Sequence, residues 1–107
     1  MTGRTSVLEP KILEPEKVVE ERTRLAPQWK VILHNDDVTT FEFVIWLLRT
    51  LFKKEAEEAL RLTLEVHVSG SALVTVTSQE RAELYLEQVQ SLARPRGFPL
   101  TATMEPA

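Results

Sequence analysis

The chain has 107 residues, of which 43% are hydrophobic, and its formal net charge is −3. This length allows one small domain with a modest core, and the acidic balance with scattered Lys and Arg argues against a nucleic-acid surface. The sequence has no cysteine, which excludes disulfides and thiolate zinc sites, and no apolar run approaches the ~18 residues that would span a membrane. We therefore expect a cytoplasmic protein that partners with neither nucleic acid nor a membrane.

Residues 1–27 differ in composition from the rest of the chain. They contain three prolines and five glutamates but no aromatic residue. A segment so poor in large apolar groups cannot offset its ordering entropy by burial. We predict a mobile N-terminal extension over 1–27 and a folded domain over 28–107.

The first predicted elements are a strand and a capped helix. Trp29 to His34 is rich in β-branched and aromatic residues, which indicates a strand. Thr39-x-x-Glu42 fits a capping box with Thr39 as N-cap, and Val38 and Phe43 fit the flanking hydrophobic staple. The helix then carries an apolar stripe at the spacing of a buried face. The stripe consists of Val44, Leu47, Leu48, Leu51 and Phe52.

Two more helices and two more strands follow. A second helix is predicted from about Glu55 to Val66, and its inner side is expected to hold Ala56, Ala59, Leu60 and Thr63 or Leu64. Ala72 to Thr77 alternates as a strand. Ser78 is a plausible N-cap for a third helix, which Pro95 and Gly97 end, and Leu100 to Met104 gives a last strand.

The order of elements is therefore β-α-α-β-α-β. Three short strands carrying this much apolar surface need a cover on one face. We predict a single small α+β domain in which a three-stranded antiparallel sheet is covered on one face by three helices.

The run Asn35-Asp36-Asp37 lies at the junction between the first strand and the first helix. Asn and Asp favour turns and caps, so structural duty explains any one of them. The positive end of the helix also helps to keep two adjacent carboxylates ionised. His67 lies near the end of the second helix, where a lone histidine is more often a helix C-cap than a functional residue. His34 should lie on the opposite face of its strand from Asn35.

If Asn35, an aspartate and His67 converge, several chemistries are open. A metal site would use His67 with Asp36 and Asp37, although the spacing matches no strong metal motif. A hydrolase would need a nucleophile, and Ser69 and Ser71 lack a nucleophile-elbow pattern. Acceptors of this kind also suit an ammonium group beside an apolar side-chain pocket. A scaffold domain that pairs through its helices is the remaining alternative.

These segments together resemble the signature of the ClpS adaptor family. The resemblance covers about residues 28 to 106 in order and spacing. It is carried by the run from Trp29 to Val44, by Val66-His67-x-x-Gly70, by Ala82-Glu83 and by Pro99-Leu100-x-x-Thr103-Met104-Glu105.

The resemblance implies an adaptor that is not an enzyme and needs no cofactor or metal. Such an adaptor binds proteins whose free N-terminal residue is Leu, Phe, Tyr or Trp and passes these N-degron substrates to a Clp-type AAA+ unfoldase, ClpA-like or ClpC-like, with its peptidase. The α-amino group would be held by Asn35, Asp36, Asp37 and His67. The hydrophobic pocket would be lined by Thr39, Phe41, Val44, Thr63, Val66 and Leu100. The N-domain of the unfoldase would dock at Glu80, Glu83 and Tyr85.

The sequence departs from the family pattern at several of these places. Threonine stands at position 40 where the family usually has proline, and Phe41 replaces a methionine that commonly gates the pocket. Thr63 replaces a frequent methionine, and Tyr85 stands where some members carry lysine. The segment Arg94-Pro95-Arg96-Gly97-Phe98 replaces a more polar loop. These departures bear on which first residues fit the pocket.

Overall fold

The computed structural model describes residues 26–107. All but the last two residues of the predicted N-terminal extension therefore lie outside the described part of the chain. The elements are β1 (Gln28–His34), α1 (Phe41–Thr50), α2 (Ala56–Ser69), β2 (Ser71–Ser78), α3 (Gln79–Ala93) and β3 (Thr101–Pro106), with a 3-10 turn at Arg94–Arg96 before β3. This is the predicted order. Within residues 26–107, no helix combines the length and the apolar content needed to cross a membrane.

The three strands form one antiparallel sheet in the order β2-β1-β3. Alternation along β1 decides which face the helices cover, because successive side chains point to opposite sides of a sheet. Val31 and Leu33 are fully buried on one side, while Ile32 and His34 lie on the other side and remain partly exposed. The α+β class and its antiparallel sheet are confirmed.

The core lies between this inner sheet face and the three helices. α1 contributes Phe43, Val44, Leu47 and Leu48, whose spacing places them along one side of the helix. The other buried apolar residues are Val31, Leu33, Phe52, Ala59, Leu62, Val66, Ala72, Val74, Ala82, Val89, Ala93 and Leu100. The predicted cap of α3 is confirmed, since Ser78 Oγ accepts a hydrogen bond from the Arg81 amide at 3.2 Å.

The predicted capping box of α1 is wrong by one residue. The N-cap is Thr40, whose hydroxyl accepts a hydrogen bond from the Phe43 amide at 3.2 Å. The Thr39 hydroxyl is directed to Asp36 instead, to which it donates at 2.7 Å. The predicted staple fails with the box, since Val38 is 56% exposed. Phe41 therefore becomes the first residue of the helix.

The predicted inner face of α2 is also corrected. Ala59 and Thr63 are buried as expected, but Ala56, Leu60 and Leu64 are exposed, and Leu62 and Val66 are buried instead. The helix continues to Ser69, beyond the predicted end. Its C-cap is Gly70, whose amide donates to the Val66 carbonyl at 2.9 Å and whose φ of 92° favours glycine. His67 therefore lies in the last turn of the helix and is not its C-cap.

Candidate functional site

The loop between β1 and α1 is organised by the carboxylate of Asp36. Its Oδ1 accepts hydrogen bonds from the amides of Val38 at 2.8 Å and Thr39 at 2.7 Å. Its Oδ2 accepts a third from the Thr39 hydroxyl at 2.7 Å. A carboxylate offers about four acceptor positions, so Asp36 shapes the loop and still has capacity for one more donor.

The same contacts set the ionisation of Asp36. Partial burial raises the pKa of its carboxyl, but the hydrogen bonds from Thr39 and Val38 and the positive charge of Arg94 outweigh this and hold the pKa below its ordinary value of 3.8. Asp36 is therefore an anion at neutral pH, and it presents negative charge beside the N-terminus of α1.

A backbone hydrogen bond brings the end of β1 to the end of α2. The Asn35 amide donates to the Gly70 carbonyl at 2.9 Å. Because His67 occupies the turn of α2 just before Gly70, this bond places Asn35 and His67 on the same side of the domain. Both side chains are exposed. Three acceptor-bearing side chains that are distant in sequence, those of Asn35, Asp36 and His67, thus border one cavity.

This cavity lies between α1, α2 and the start of β3, and we call it the terminal cavity. Its lining consists of Asn35, Asp36, Thr39, Phe41, Val44, Thr63, Val66, His67 and Leu100. Its inner members are buried, with exposed fractions of 5% for Val44, 3% for Val66 and 1% for Leu100. The polar lining residues that belong to the loop between β1 and α1 are more exposed, and so is His67. The terminal cavity therefore has an apolar interior and a mouth rich in acceptors.

The buried hydroxyl of Thr63 does not disturb this apolar interior. It donates to the Ala59 carbonyl one turn earlier, at 2.8 Å. A buried hydroxyl that is already hydrogen-bonded carries little further desolvation cost. Thr63 thus satisfies its polar group within α2 and presents a shorter side chain to the cavity than a methionine would.

The terminal cavity is narrow in this conformation. The volume of the terminal cavity is about 10 Å³. That is room for about one water molecule. The Phe41 ring contacts the His67 ring edge to face, with centroids 5.0 Å apart, and both side chains are exposed. These two rings therefore restrict the mouth.

Asp37 and His34 lie outside this arrangement. Asp37 is exposed and does not line the terminal cavity, although it neighbours Asp36. His34 lies in the sheet, where its Nε2 is hydrogen-bonded to the hydroxyl of Thr103 on β3 at 2.7 Å. No three His, Asp or Glu side chains within residues 26–107 are grouped so that they could hold a metal ion. The metal-site alternative therefore finds no ligand set in the described part of the chain.

The three residues predicted to meet an unfoldase lie on α3. Glu80 and Glu83 are exposed, one helical turn apart. Tyr85 is half-buried and stacks on Phe52, with ring centroids 4.5 Å apart. Glu83 and Tyr85 line separate grooves. The three residues thus share one helix but not one groove.

Sequence reasoning missed Arg94, which supports the wall of the terminal cavity. Its Nη1 donates to the carbonyl of Leu100 at 2.8 Å and to that of Phe98 at 2.9 Å. These bonds fix the turn that precedes β3 and so position Leu100 in the wall. The only sequence signal was the unusual run from position 94 to 98, which does not reveal what an arginine there will contact.

These features define a class of protein, a small α+β domain with a narrow apolar cavity whose mouth carries hydrogen-bond acceptors. Comparison with known families places the chain further. The profile of the ClpS family, described as ATP-dependent Clp protease adaptor protein ClpS, matches residues 24–103. The chain belongs to the ClpS family, and its function is that of an adaptor of the Clp protease.

Individual relatives agree with this assignment. The chain is 51% identical over 77 residues to the ATP-dependent Clp protease adapter protein ClpS of Nautilia profundicola, covering 72% of this chain and 79% of the relative. It is 44% identical over 86 residues to that of Desulfatibacillum aliphaticivorans, covering 80% and 83%. Among solved structures, it is similar to Agrobacterium tumefaciens ClpS2 bound to L-phenylalaninamide. The TM-score is 0.73 at 36% identity, with 76% of this chain and 98% of that chain covered.

Proposed function

We propose that this adaptor binds the free N-terminal residue of N-degron substrates in the terminal cavity and delivers them to a Clp AAA+ unfoldase, without catalysing a reaction itself. The proposed first residues are Leu, Phe, Tyr and Trp. The observation that carries the proposal is the pairing of acceptors at the mouth with an apolar interior in one cavity. The proposed compartment is the cytoplasm, as expected from the sequence.

The chemistry of the mouth suits an ammonium group. An α-amino group has a pKa near 8 and is mostly charged at neutral pH. It has three N–H donors, and three groups offer acceptors for them: the amide oxygen of Asn35, the remaining position on the Asp36 carboxylate and a ring nitrogen of His67. Asp37 adds negative charge nearby without lining the cavity. An internal residue has no ammonium group and would leave these acceptors without donors.

The apolar interior suits the side chain that the amine carries. Burial of a Leu or Phe side chain contributes about 1.5–3 kcal/mol, and each charge-assisted hydrogen bond about 1.5–3 kcal/mol. Association costs of at least about 4 kcal/mol oppose them. With three such bonds, the most favourable of these values leave about 8 kcal/mol, which corresponds to a dissociation constant of the order of micromolar. That affinity suits an adaptor that must release its cargo.

The narrow cavity adds a step to binding. An apolar cavity that admits a benzene ring has a volume of about 150 Å³, so the ring of a first-residue Phe does not fit the present conformation. Phe41 is 42% exposed and is the first residue of α1, so its ring can swing toward solvent without loss of core packing. We propose that the Phe41 ring moves away from His67 when a side chain enters.

The known similarity supports the same chemistry. L-phenylalaninamide, which is named in the bound Agrobacterium tumefaciens ClpS2 structure, has a free α-amino group, a benzyl side chain and an amide in place of the carboxylate. It therefore reproduces an N-terminal Phe residue joined to the next peptide bond. A ligand of this kind matches both the apolar interior and the acceptor-rich mouth of the terminal cavity.

A calorimetric comparison tests the proposal. A peptide that begins with Phe should bind with micromolar affinity, and its N-acetylated twin should not bind measurably, because acetylation removes the charge and two donors. His67→Ala should weaken binding of the free peptide and leave the thermal unfolding temperature nearly unchanged, since His67 is exposed. Equal affinity for the two peptides would refute the proposal.

A further inference from the structure

A second concavity lies on the opposite flank of α1 from the terminal cavity, and we call it the aromatic groove. It is lined by Thr40, Glu42, Phe43, Trp46, Arg96 and Phe98. Its volume is about 370 Å³, against about 10 Å³ for the terminal cavity. Phe43 lies at its base, 5.0 Å from the Phe98 ring and 5.8 Å from the Trp46 ring by centroids.

Arg96 is held in this groove in a defined position. Its Cζ lies 5.3 Å from the ring centroid of Phe43 and 5.1 Å from that of Trp46. Its Nη1 donates to the Leu92 carbonyl at 3.1 Å. Stacking on aromatic rings and a backbone bond reduce the rotamer entropy that an arginine would otherwise lose when it binds a ligand.

The remaining donors of Arg96 are available to a ligand. A guanidinium has five N–H donors, and the side chain is exposed and forms no ion pair with any carboxylate of residues 26–107. The acidic residue of the lining is Glu42, which lies in the first turn of α1, where the helix dipole offsets part of its charge. The groove therefore combines apolar surface, including Trp46 at 40% exposure, with a fixed and unpaired positive charge.

The aromatic groove and the terminal cavity both reach the start of α1. Thr39 lines the cavity, and Thr40, the next residue, lines the groove. Phe98 and Leu100 are two residues apart and line the groove and the cavity respectively, which puts their Cα atoms within about 7 Å of each other. Arg94 bonds to both of their carbonyls. A peptide leaving the cavity over the start of α1 therefore reaches the groove directly.

The distances select which residues of a substrate would arrive there. A helix is about 10 Å across, and an extended peptide advances about 3.3 Å per residue. With the first residue in the terminal cavity, about two to three further residues carry the chain across to the groove. By this estimate, the third and fourth residues would reach Arg96 and Trp46.

We propose that the aromatic groove is a subsite for the third and fourth residues of the substrate and prefers a carboxylate side chain there. The inference rests on the proposed function of the terminal cavity. It implies that the electrostatic preference reverses along the peptide, because Asp36 and Asp37 disfavour an acidic second residue while Arg96 attracts an acidic third or fourth residue. Carboxylate against guanidinium gives the bidentate geometry that fixes such a pair.

Matched peptides test the subsite by fluorescence anisotropy. All begin with Phe-Ala and differ only at positions three and four, which are Glu-Glu, Gln-Gln or Lys-Lys. The wild-type chain should bind the Glu-Glu peptide about threefold tighter than the Gln-Gln peptide, as expected for a largely exposed ion pair, and the difference should shrink at 0.5 M salt. Arg96→Gln should abolish it, and Glu42→Gln should enlarge it.

Arg81→Gln is the matched control, since Arg81 is an exposed arginine on α3 that does not line the groove. It should leave the preference for Glu-Glu unchanged, and thermal melts should show that both arginine variants fold. Equal affinity of the wild type for Glu-Glu and Gln-Gln, or a preference that survives Arg96→Gln, would overturn the subsite. Two other results would also overturn the subsite, if Arg96→Gln left the affinities of the peptide series unchanged. One is loss of self-association of the chain in sedimentation experiments, and the other is loss of binding to the unfoldase N-domain.

N-acetylated versions of the same peptides separate the two proposals. If acetylation abolishes binding while positions three and four have no effect, the terminal cavity stands and the subsite falls. If acetylated and free peptides bind equally, the proposed function falls and the subsite that rests on it falls too. Loss of the Glu-Glu preference in Arg96→Gln with acetylation sensitivity retained supports both.

Discussion

The rings of Phe41 and His67 meet edge to face with centroids 5.0 Å apart at the mouth of the terminal cavity. One ring lies at the start of α1 and the other in the last turn of α2, so the contact joins the two helices that form the cavity walls. Aromatic contacts of this kind contribute about 0.5–1.5 kcal/mol. Opening the mouth therefore costs roughly a two- to tenfold loss of affinity.

Replacement of Phe41 should broaden the choice of first residue. In the wild type, we expect peptides that begin with Leu or Phe to bind at least about ten times more tightly than otherwise identical peptides that begin with Val or Ile. The reason is that the narrow mouth resists branching at Cβ. Phe41→Ala should reduce this ratio, as measured by competition binding. Val38→Ala is the control, since Val38 is exposed and does not line the cavity. An unchanged ratio in Phe41→Ala would show that this ring does not set selectivity.

The charge of Asp36 should make stability depend on acid. The pKa of Asp36 is lower in the folded chain than its ordinary value of 3.8. Its contribution to the free energy of unfolding is therefore complete at pH values well above 3.8 and is lost as the pH falls through the folded pKa. Asp36→Asn should lower the free energy of unfolding by about 1 kcal/mol at pH 7 and flatten its acid dependence. Urea titrations between pH 3 and pH 7 measure both effects.

Asp37→Asn provides the comparison for that experiment. Asp37 is exposed, and its side chain forms no hydrogen bond within residues 26–107. The substitution should change the free energy of unfolding by less than about 0.5 kcal/mol. Equal losses in the two variants would mean that the three hydrogen bonds to Asp36 do not stabilise the loop.

The helix cap at Thr40 should be measurable in the same way. Thr40→Ala removes the acceptor for the Phe43 amide and should cost about 1 kcal/mol, whereas Thr40→Ser should cost much less because serine caps as well as threonine does. Thermal or urea unfolding would show the difference. Indistinguishable stabilities of the two variants would contradict the assignment of Thr40 as the N-cap.

The exposed face of α3 yields a prediction about the partner. Glu80→Lys should weaken binding to the N-domain of a Clp unfoldase by about fivefold or more, as a charge reversal at an interface does, and should leave peptide binding unchanged. Glu87→Lys, at an exposed position of the same helix outside the predicted interface, is the control. Unaltered N-domain binding in Glu80→Lys would remove Glu80 from the interface.

Local sequence signals predicted the elements well and failed where two local solutions compete. Ser78 has no rival for its cap, and it was predicted correctly. Thr39 and Thr40 are adjacent and chemically equal as caps. Asp36 accepts hydrogen bonds from both the amide and the hydroxyl of Thr39, three residues along the chain, and Thr40 caps α1. An Asx-type turn therefore decided a choice that capping preferences alone could not.

The inner face of α2 was ambiguous for a related reason. Apolar residues occur on more than one side of this helix, so spacing alone admits two faces. Arg61 bonds to Glu58 at 2.7 Å and to Glu65 at 3.2 Å, and this charged row marks the solvent side on which Leu60 and Leu64 remain exposed. The charges could have indicated that side from the sequence.

The site was predictable only in part from the sequence. The residues of the terminal cavity were predicted through the family resemblance, and nine of the ten predicted amine-binding and pocket residues line it, with Asp37 outside. The sequence indicated that Phe41 would narrow the cavity, but its contact with the His67 ring and the aromatic groove were not predicted. Arg96 stacks on Trp46, which lies 50 residues away in the sequence, and no local pattern encodes such a contact.

The most direct test follows backbone amide signals of isotope-labelled protein by NMR during titration with L-phenylalaninamide and, separately, with N-acetyl-L-phenylalaninamide. Binding of a free amino-terminal residue in the terminal cavity predicts that the first ligand shifts the signals of Asn35 to Thr39 and of Val66 and His67. The acetylated ligand should leave them in place. Identical shifts with both ligands, or shifts confined to other parts of the domain, would contradict the account.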